Sequence, residues 1–129
     1  MKLSTLAIHA AQVDRIEALT SYTIYDGTPQ DVVFPYVAMG EITAKRWCDK
    51  LEDGTEVYST IHIWSQYDGR KEADEMADAI SQALSSSPIS VAPSFLLALG
   101  KLDGYSLIVD MDGETRHGVL RMRYLVEEL

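Results

Sequence analysis

The chain has 129 residues, of which 47% are hydrophobic and 24% are charged, a composition typical of one globular domain rather than of a disordered segment. We therefore expect residues 1–129 to form a single domain. The net charge of −9 at pH 7 disfavours a broad surface for binding nucleic-acid phosphates. The one cysteine excludes an intrachain disulfide, and no apolar run approaches the roughly 20 residues that a membrane span needs.

Helical periodicity predicts a first helix over residues 3–19. Apolar side chains recur there at spacings of three and four residues, which predicts one buried stripe. The stripe consists of Leu3, Leu6, Ala10, Val13, Ile16 and Leu19. Ser4 is a candidate N-cap. A short extended piece over residues 22–25 and a loop over residues 26–34 follow this helix.

Two strand-like segments come next and predict a long antiparallel hairpin. Residues 35–47 are rich in strand-forming residues and have no helical period. Residues 55–66 alternate between two faces. One face carries Val57, Ser59, Ile61 and Ile63, and the other carries Tyr58, Thr60, His62 and Trp64. The polar residues between the two segments predict the tip of the hairpin.

Residues 70–84 predict a second helix. Six apolar side chains recur along one face at helical spacing. They are Ala73, Met76, Ala77, Ile80, Ala83 and Leu84. Asp68 and Gly69 are the candidate caps at its start. The i,i+4 pair of Arg70 and Asp74 contributes roughly a few tenths of a kcal/mol, so packing of the apolar face must hold this helix.

The remaining residues predict a second hairpin. Residues 94–110 are mostly strand-forming, with an interruption between Gly100 and Gly104. Asp112-Gly113 is a turn signal, and residues 115–126 alternate as a half-buried strand does. The predicted fold is therefore α+β, a mostly antiparallel four-stranded sheet with two helices packed on one face, in the order α-β-β-α-β-β.

No residue pattern predicts a catalytic, cofactor or metal site. The histidines His9, His62 and His117 are not spaced as ligands, and a zinc site needs three or four convergent ligands. Residues 110–114 match only part of a calcium loop, and a hairpin turn explains them more simply. Cys48 lies among lysine and arginine residues, which lower the pKa of a thiol, but the sequence places no base beside it. We therefore expect that the protein is not an enzyme.

The sheet face away from the helices is the most informative predicted feature. Alternation sends its tyrosine, tryptophan, histidine and arginine side chains to that face together. Aromatic residues and arginine are enriched in protein interfaces, although a face left to water is the simpler alternative. The candidate interface residues on this face are Glu41, Tyr58, His62, Trp64, Arg121 and Arg123. The long hairpin adds Trp47 and Asp53 as further candidates. Glu41 is predicted to pair with Arg121.

Three sequence blocks, taken in order, resemble a known family. They are Ile24-Tyr25-Asp26-Gly27 with Pro29-Gln30, Phe34-Pro35-Tyr36-Val37 and Gly40-Glu41; Ile61-His62-Ile63-Trp64-Ser65-Gln66-Tyr67 with Gly69-Arg70-Lys71-Glu72; and Asp112-Gly113 with Thr115-Arg116-His117-Gly118-Val119-Leu120-Arg121. Together they resemble the small tail-completion proteins of long-tailed bacteriophages, prophages and gene transfer agents, a family that includes tail-to-head joining proteins and is akin to the tail terminators. The resemblance runs from about residue 25 to residue 127, and residues 94–110 depart from the family's pattern.

The resemblance implies a structural role that composition alone does not indicate. About six copies would form a ring at the head-proximal end of the tail tube, stop tube polymerisation and offer a docking surface to the head connector. The partners would be other copies of the chain, the tail tube protein and the head connector, with no specific nucleic acid, no membrane and no cofactor. The tip of the long hairpin would contact a neighbouring copy or the tail tube. The protein would assemble in the host bacterial cytoplasm and then lie in the virion. Its acidic surface would not retard DNA passing through the tail.

Two alternatives stay open. A small hydrolase would use Cys48 or a histidine, but it needs a convergent cluster of side chains. A protein-interaction module that acts as a monomer or dimer is compatible with the same aromatic face. Oligomeric symmetry distinguishes the tail protein from the interaction module. A closed ring of about six copies favours the tail protein, and a two-fold dimer favours the module.

Overall fold

Two helices and five strands make up the computed structural model, which describes residues 2–27, 30–47 and 54–129. In chain order they are α1 (Thr5–Leu19), β1 (Ile24–Asp26), β2 (Tyr36–Arg46), β3 (Gly54–Ser65), α2 (Lys71–Ser85), β4 (Phe95–Val109) and β5 (Arg116–Glu128). Neither helix in this part of the chain is long and apolar enough to cross a membrane.

The sheet has five strands in the order β1-β2-β3-β5-β4. β1 runs parallel to β2, and the other neighbouring pairs are antiparallel. The α+β class is therefore confirmed, but the four-stranded prediction is wrong by one strand. The extended piece expected at residues 22–25 joins the sheet, where the Val37 backbone N–H donates to the Thr23 carbonyl oxygen at 2.8 Å. A three-residue strand is too short to show alternation, and parallel pairing leaves no hairpin signal.

The buried face of α1 is not the predicted one. Leu3, Leu6 and Leu19 are 65%, 78% and 59% exposed. The buried residues of the helix are Ile8, Ala11, Gln12 and Ile16. The predicted stripe is right at Ile16 and Val13, which contribute to the core, and wrong at Leu3, Leu6, Ala10 and Leu19, which are exposed. Residues 6–13 are apolar apart from His9 and Gln12, so more than one stripe satisfies helical spacing. Packing against the sheet selects among them.

Gln12 shows why this particular stripe is buried. Its side-chain amide donates to Ser59 Oγ at 2.8 Å, and its Oε1 accepts from the Tyr124 hydroxyl at 2.9 Å. All three side chains are buried, and burial raises the pKa of Tyr124. A buried amide is tolerated when its donors and acceptors are paired, so this polar cluster fixes the rotation of α1 on the sheet.

Arg15 joins α1 to the carboxyl end of α2. Its guanidinium donates to the carbonyl oxygens of Ala83, Ser87 and Pro88 at 3.0, 3.0 and 2.9 Å. The last turn of α2 contains no basic residue of its own. Arg15 therefore supplies the positive charge and the donors that the terminal carbonyls of a helix need.

The apolar face predicted for α2 is confirmed. All six predicted residues, Ala73, Met76, Ala77, Ile80, Ala83 and Leu84, are buried. The predicted caps are wrong, because the N-cap position is held by Arg70 rather than by Asp68 or Gly69. Gly69 instead makes the turn into the helix with φ of 108°, a conformation that glycine adopts without steric cost. The Arg70–Asp74 ion pair forms, with 2.6 Å between Nε and Oδ2.

Ser4 holds the N-cap position of α1, as predicted, but its side chain makes no capping hydrogen bond. Its hydroxyl is instead buried without a partner among the described residues. The position of the helix start was therefore predictable from the residue type, whereas the capping bond expected of that residue does not form.

The alternation predicted for β3 and β5 is confirmed. The side chains under the helices are Val57, Ser59, Ile61 and Ile63 on β3 and Leu120, Met122, Tyr124 and Val126 on β5, all buried. The antiparallel register sets Ile61 directly opposite Leu120. Both helices pack against this side, which we call the covered face, and it holds the hydrophobic core.

β4 runs through the interruption that the sequence predicts near Gly100 and Gly104. It pairs with β5 along its length. The pairing register shifts twice, between Leu97 and Leu99 and between Leu102 and Gly104. The Gly100 backbone lies against the Tyr124 ring, where an added Cβ would come within 3.0 Å. Glycine at this position thus lets the Tyr124 ring lie close to the β4 backbone, and the strand continues through it.

The turn between β4 and β5 confirms the hairpin expected at Asp112-Gly113. The Asp112 carboxylate accepts from the backbone N–H groups of Glu114 and Thr115, each at 2.8 Å, and from the Thr115 hydroxyl at 2.6 Å. These bonds, led by the Thr115 hydroxyl, lower the pKa of Asp112. Gly113 has φ of 74°. The Asp112 carboxylate, which lies in the partial calcium-loop match, therefore forms its hydrogen bonds within the turn.

Candidate functional site on the open face of the sheet

The second face of the sheet carries the predicted interface residues. We call it the open face, because both described helices lie on the other side. Its side chains, assigned from the strand register, include Tyr36, Thr43 and Lys45 on β2, Glu56, Tyr58, Thr60, His62 and Trp64 on β3, His117, Val119, Arg121 and Arg123 on β5, and Lys101, Ser106 and Ile108 on β4. Five of the eight predicted residues therefore share one face, as alternation predicts.

Aromatic rings form a row across one end of the open face. The Tyr25 ring on β1 meets the Tyr36 ring edge-on, with centroids 5.6 Å apart. Tyr36 is followed by Trp64 at 6.3 Å, and Trp64 stacks on His117 at 3.8 Å with ring planes 5° apart. The row therefore crosses four strands, since each ring lies on a strand next to the one before it.

His62 and His117 form a hydrogen bond at the end of this row. His62 Nδ1 and His117 Nε2 are 2.7 Å apart, so one nitrogen donates and the other accepts. The accepting ring is neutral, because a protonated imidazole has no acceptor nitrogen. Burial, followed by the charge of His62, lowers the pKa of His117. The two rings therefore share one hydrogen bond, and the burial of His117 disfavours its charged form.

Charged side chains occupy the middle and far end of the open face. Glu56 accepts from Arg123 Nη2 at 2.7 Å and pairs with Lys45 Nζ at 3.1 Å. The hydrogen bond from Arg123, then that from Lys45, lowers the pKa of Glu56. The two cations and one carboxylate therefore form a chain that spans β2, β3 and β5.

The predicted pair of Glu41 with Arg121 is wrong. The Arg121 guanidinium lies over the Tyr58 ring, 4.2 Å from its centroid, and its Nε is 3.7 Å from Asp103 Oδ2. Glu41 lies on β2, on the other side of β3 from Arg121. The sequence could not show that Asp103, at the register shift of β4, takes the role expected of Glu41.

Glu41 lies beside a groove at the aromatic end of the face. The groove has a volume of about 270 Å³, and its lining includes Gly27, Tyr36, Gly40, Glu41, His62, Trp64 and His117. A register shift between Met39 and Ile42 bends β2 at this point. Gly40 allows the close approach of His62, since an added Cβ would lie 2.7 Å from His62 Nε2.

Trp47 and Asp53 are not placed with the other predicted residues. Trp47 follows β2, and its backbone N–H donates to the Gly54 carbonyl oxygen at 3.0 Å, which closes the base of the predicted hairpin. Asp53, Cys48 and the hairpin tip lie outside the described residues. The prediction that the tip contacts a neighbour or the tail tube is therefore left as a prediction.

Sequence reasoning missed three members of this face. His117 shares the alternation of Arg121 and Arg123, so the same parity that found the arginines could have found it. Tyr36 could not be assigned, because the register shift in β2 obscures the strand's alternation. Glu56 shares the alternation of Tyr58, so parity could have found it too, but its pairing with Arg123 and Lys45 depends on register, which the sequence does not give. Among the residues that the structure describes, no three His, Cys, Asp or Glu side chains are grouped to hold a metal ion.

Comparisons with known proteins agree with this architecture. A family model described as tail completion protein gp17 matches residues 5–127. The tail completion protein gp17 of Bacillus phage SPP1 is 25% identical over 130 residues, which cover 97% of this chain and 96% of that relative.

Two solved structures share the fold. A chain from the virion of a native gene transfer agent particle superposes with a TM-score of 0.83 at 20% identity, over 100% of both chains. The bacteriophage SPP1 gp17 protein superposes with a TM-score of 0.63 at 23% identity, over 95% of this chain and 91% of that chain. At these identities the two structures show the fold alone.

Two helices over one face of a five-stranded sheet, with rings and charges over the other, define a small two-layer α+β protein. The chain belongs to the family of tail completion protein gp17, whose model matches residues 5–127, and the predicted family is confirmed. Members of this family are structural tail proteins of the bacteriophage type.

Proposed function

We propose that about six copies of the protein form a closed ring at the head-proximal end of a tail tube. The ring ends tube growth and joins the tail to the head connector. Its partners are further copies of the chain, the tail tube protein and the connector, and its role is structural rather than enzymatic. The protein assembles in the bacterial host cytoplasm and remains in the virion.

The observation that carries this proposal is the open face. A closed ring needs two different surfaces on each copy that meet under rotation. The open face offers Trp64 at one end and Arg121 and Arg123 toward the other, and no described helix covers it. Tryptophan, tyrosine and arginine are the residue types that dominate binding energy at interfaces. Membership of a tail completion family supports the position of the ring at a tail end.

Native mass spectrometry over a concentration series tests the ring. We expect a hexamer, either alone or once tail tubes are added and the tube-bound protein is counted. A stable two-fold dimer would contradict the ring and support the interaction-module alternative. Failure to form a hexamer with or without tubes would also contradict the proposal.

Substitutions on the open face test its role. Trp64→Ala and Arg121→Glu should each block ring formation while leaving the melting temperature within a few degrees of the parent, because both side chains are partly exposed. Tyr67→Ala and Lys71→Glu are matched controls: both residues are exposed, Tyr67 in the loop between β3 and α2 and Lys71 on α2, and they should leave the ring intact. Normal rings from both open-face variants would contradict an interface here.

A further inference from the structure

The groove beside Glu41 has the composition of a site for a cation. Glu41 is exposed, and its carboxylate forms no ion pair or hydrogen bond with a described residue. Glu56, another carboxylate of the open face, is by contrast held by Arg123 and Lys45. An unpaired carboxylate in a groove is an acceptor for a positively charged donor from outside the molecule.

The walls of the groove favour the same class of ligand. Tyr36 and Trp64 present aromatic rings beside the carboxylate, and aromatic rings attract ammonium and guanidinium groups. The two histidines that complete the lining share a hydrogen bond in which at least one ring is neutral. The groove therefore combines one negative charge with aromatic surface, and its volume of about 270 Å³ accommodates the end of a long side chain.

The opposite side of the open face offers a matching cation. Arg121, Arg123 and Lys45 are each paired with an acidic residue. Lys101 is exposed on β4 opposite Arg123, and it forms no ion pair with any residue that the structure describes. β1 and β4 are the two outer strands of the sheet, so the Glu41 groove and Lys101 lie toward opposite edges of one face.

We propose that the Glu41 groove of one copy receives the Lys101 side chain of the next copy. This inference rests on the proposed ring and deepens it by naming the contact between copies. When each copy gives its Glu41 groove to one neighbour and its Lys101 to the other, the contact is heterologous, and repetition around an axis closes a ring. The occupant is a second copy of this chain, since Glu41 and Lys101 have opposite charges, form no ion pair with a described residue, and stand toward opposite edges of the same sheet.

Charge reversal at each position tests the contact by native mass spectrometry. Glu41→Lys and Lys101→Glu should each raise the concentration at which half the protein is in rings by about a hundredfold or more, because like charges then meet in the interface. Glu17→Lys and Lys71→Glu are the matched controls. Each makes the same change of charge at an exposed helical position, and each should leave the ring population unchanged.

Mixing the two single variants gives the decisive result. In an alternating ring, the new lysine of the Glu41→Lys copies meets the new glutamate of the Lys101→Glu copies, and the unaltered Glu41 meets the unaltered Lys101. An equimolar mixture should therefore restore a hexamer of three copies each, which its mass identifies, although neither variant forms one alone. The double variant, with both charges reversed, should also recover the ring.

The outcomes separate this contact from the ring itself. If the parent protein forms rings and the single variants do so equally well, the proposed Glu41–Lys101 contact is wrong, whereas the proposed ring is unaffected. Loss of rings in the variants without recovery in the mixture also overturns the contact, provided that thermal melting shows both variants folded. If the parent forms no ring with or without tail tubes, the proposed function fails, and the contact fails with it.

Discussion

The side chains on the two faces of the sheet differ in burial and in the partners that they contact. On the covered face, aliphatic side chains such as Ile61 and Leu120 are fully buried, and the polar cluster around Gln12 is closed by its own hydrogen bonds. On the open face, rings and charges find partners on neighbouring strands but stay partly exposed. Arg121 over Tyr58 and His62 against His117 are examples.

This difference separates stability from function. Burial of apolar surface is the dominant favourable contribution to folding, whereas partly exposed ion pairs contribute little. The covered face therefore holds the fold together. The open face can be changed at single positions without unfolding the chain, as a surface that serves assembly requires.

The largest expected effect comes from a cavity in the covered face. Ile61→Ala should lower the free energy of unfolding by about 2–5 kcal/mol, because it removes fully buried methyl groups and leaves a cavity. Urea denaturation measures the loss. The control is Ile108→Ala on the open face, where the side chain is 52% exposed and the expected loss is about 0.5 kcal/mol or less. Equal losses at the two sites would remove the distinction between the faces.

A smaller effect should follow from opening the polar cluster around Gln12. Tyr124→Phe removes the hydroxyl that donates to Gln12 Oε1, and it should cost about 1–3 kcal/mol because the acceptor is left buried and unpaired. Tyr58→Phe on the open face should cost less, since water reaches that partly exposed side chain. The same denaturation assay compares them, and a larger loss at Tyr58 would contradict the contrast.

The smallest effect concerns pH and the histidine pair. Because the pKa of His117 is lowered in the folded protein, the unfolded chain binds its proton more readily. Stability should therefore be complete above the ordinary histidine pKa of roughly 6.5, fall as the pH drops through that value, and level off below the folded pKa. Urea denaturation between pH 8 and pH 5 should show this slope in the parent protein and a weaker slope in His117→Gln.

NMR provides the check at the level of one residue. The ring protons of His117 should titrate at a lower pH in the folded protein than in the urea-unfolded chain. A titration at the same or a higher pH in the folded protein would contradict the burial of His117 between Trp64 and His62.

Much of the architecture follows from local patterns. The apolar face of α2 and the alternation of β3 and β5 are short-range signals, and they placed Trp64, Arg121 and Arg123 on one face. Asp112-Gly113 marks a turn for a local reason as well, since aspartate bonds the backbone ahead of it and glycine accepts a positive φ. These features are determined by residues within a few positions of one another.

Other features depend on residues far apart in the chain. α1 has several possible apolar stripes, and its buried one is selected by Gln12 meeting Ser59 and Tyr124, 47 and 112 residues away. β1 is three residues long and is a strand only because β2 lies beside it. Asp103 replaces Glu41 as the partner of Arg121 because β4 shifts its register there.

Residue order along the chain establishes which side chains can share a face, because the period of a strand or helix is a property of the backbone. Which of those side chains touch depends on the assembled sheet. His62 and His117 are 55 residues apart, and nothing in their spacing predicts that their ring nitrogens form a hydrogen bond. Register and bulges set such contacts, and these depend on the free energy of packing the whole sheet against its two helices.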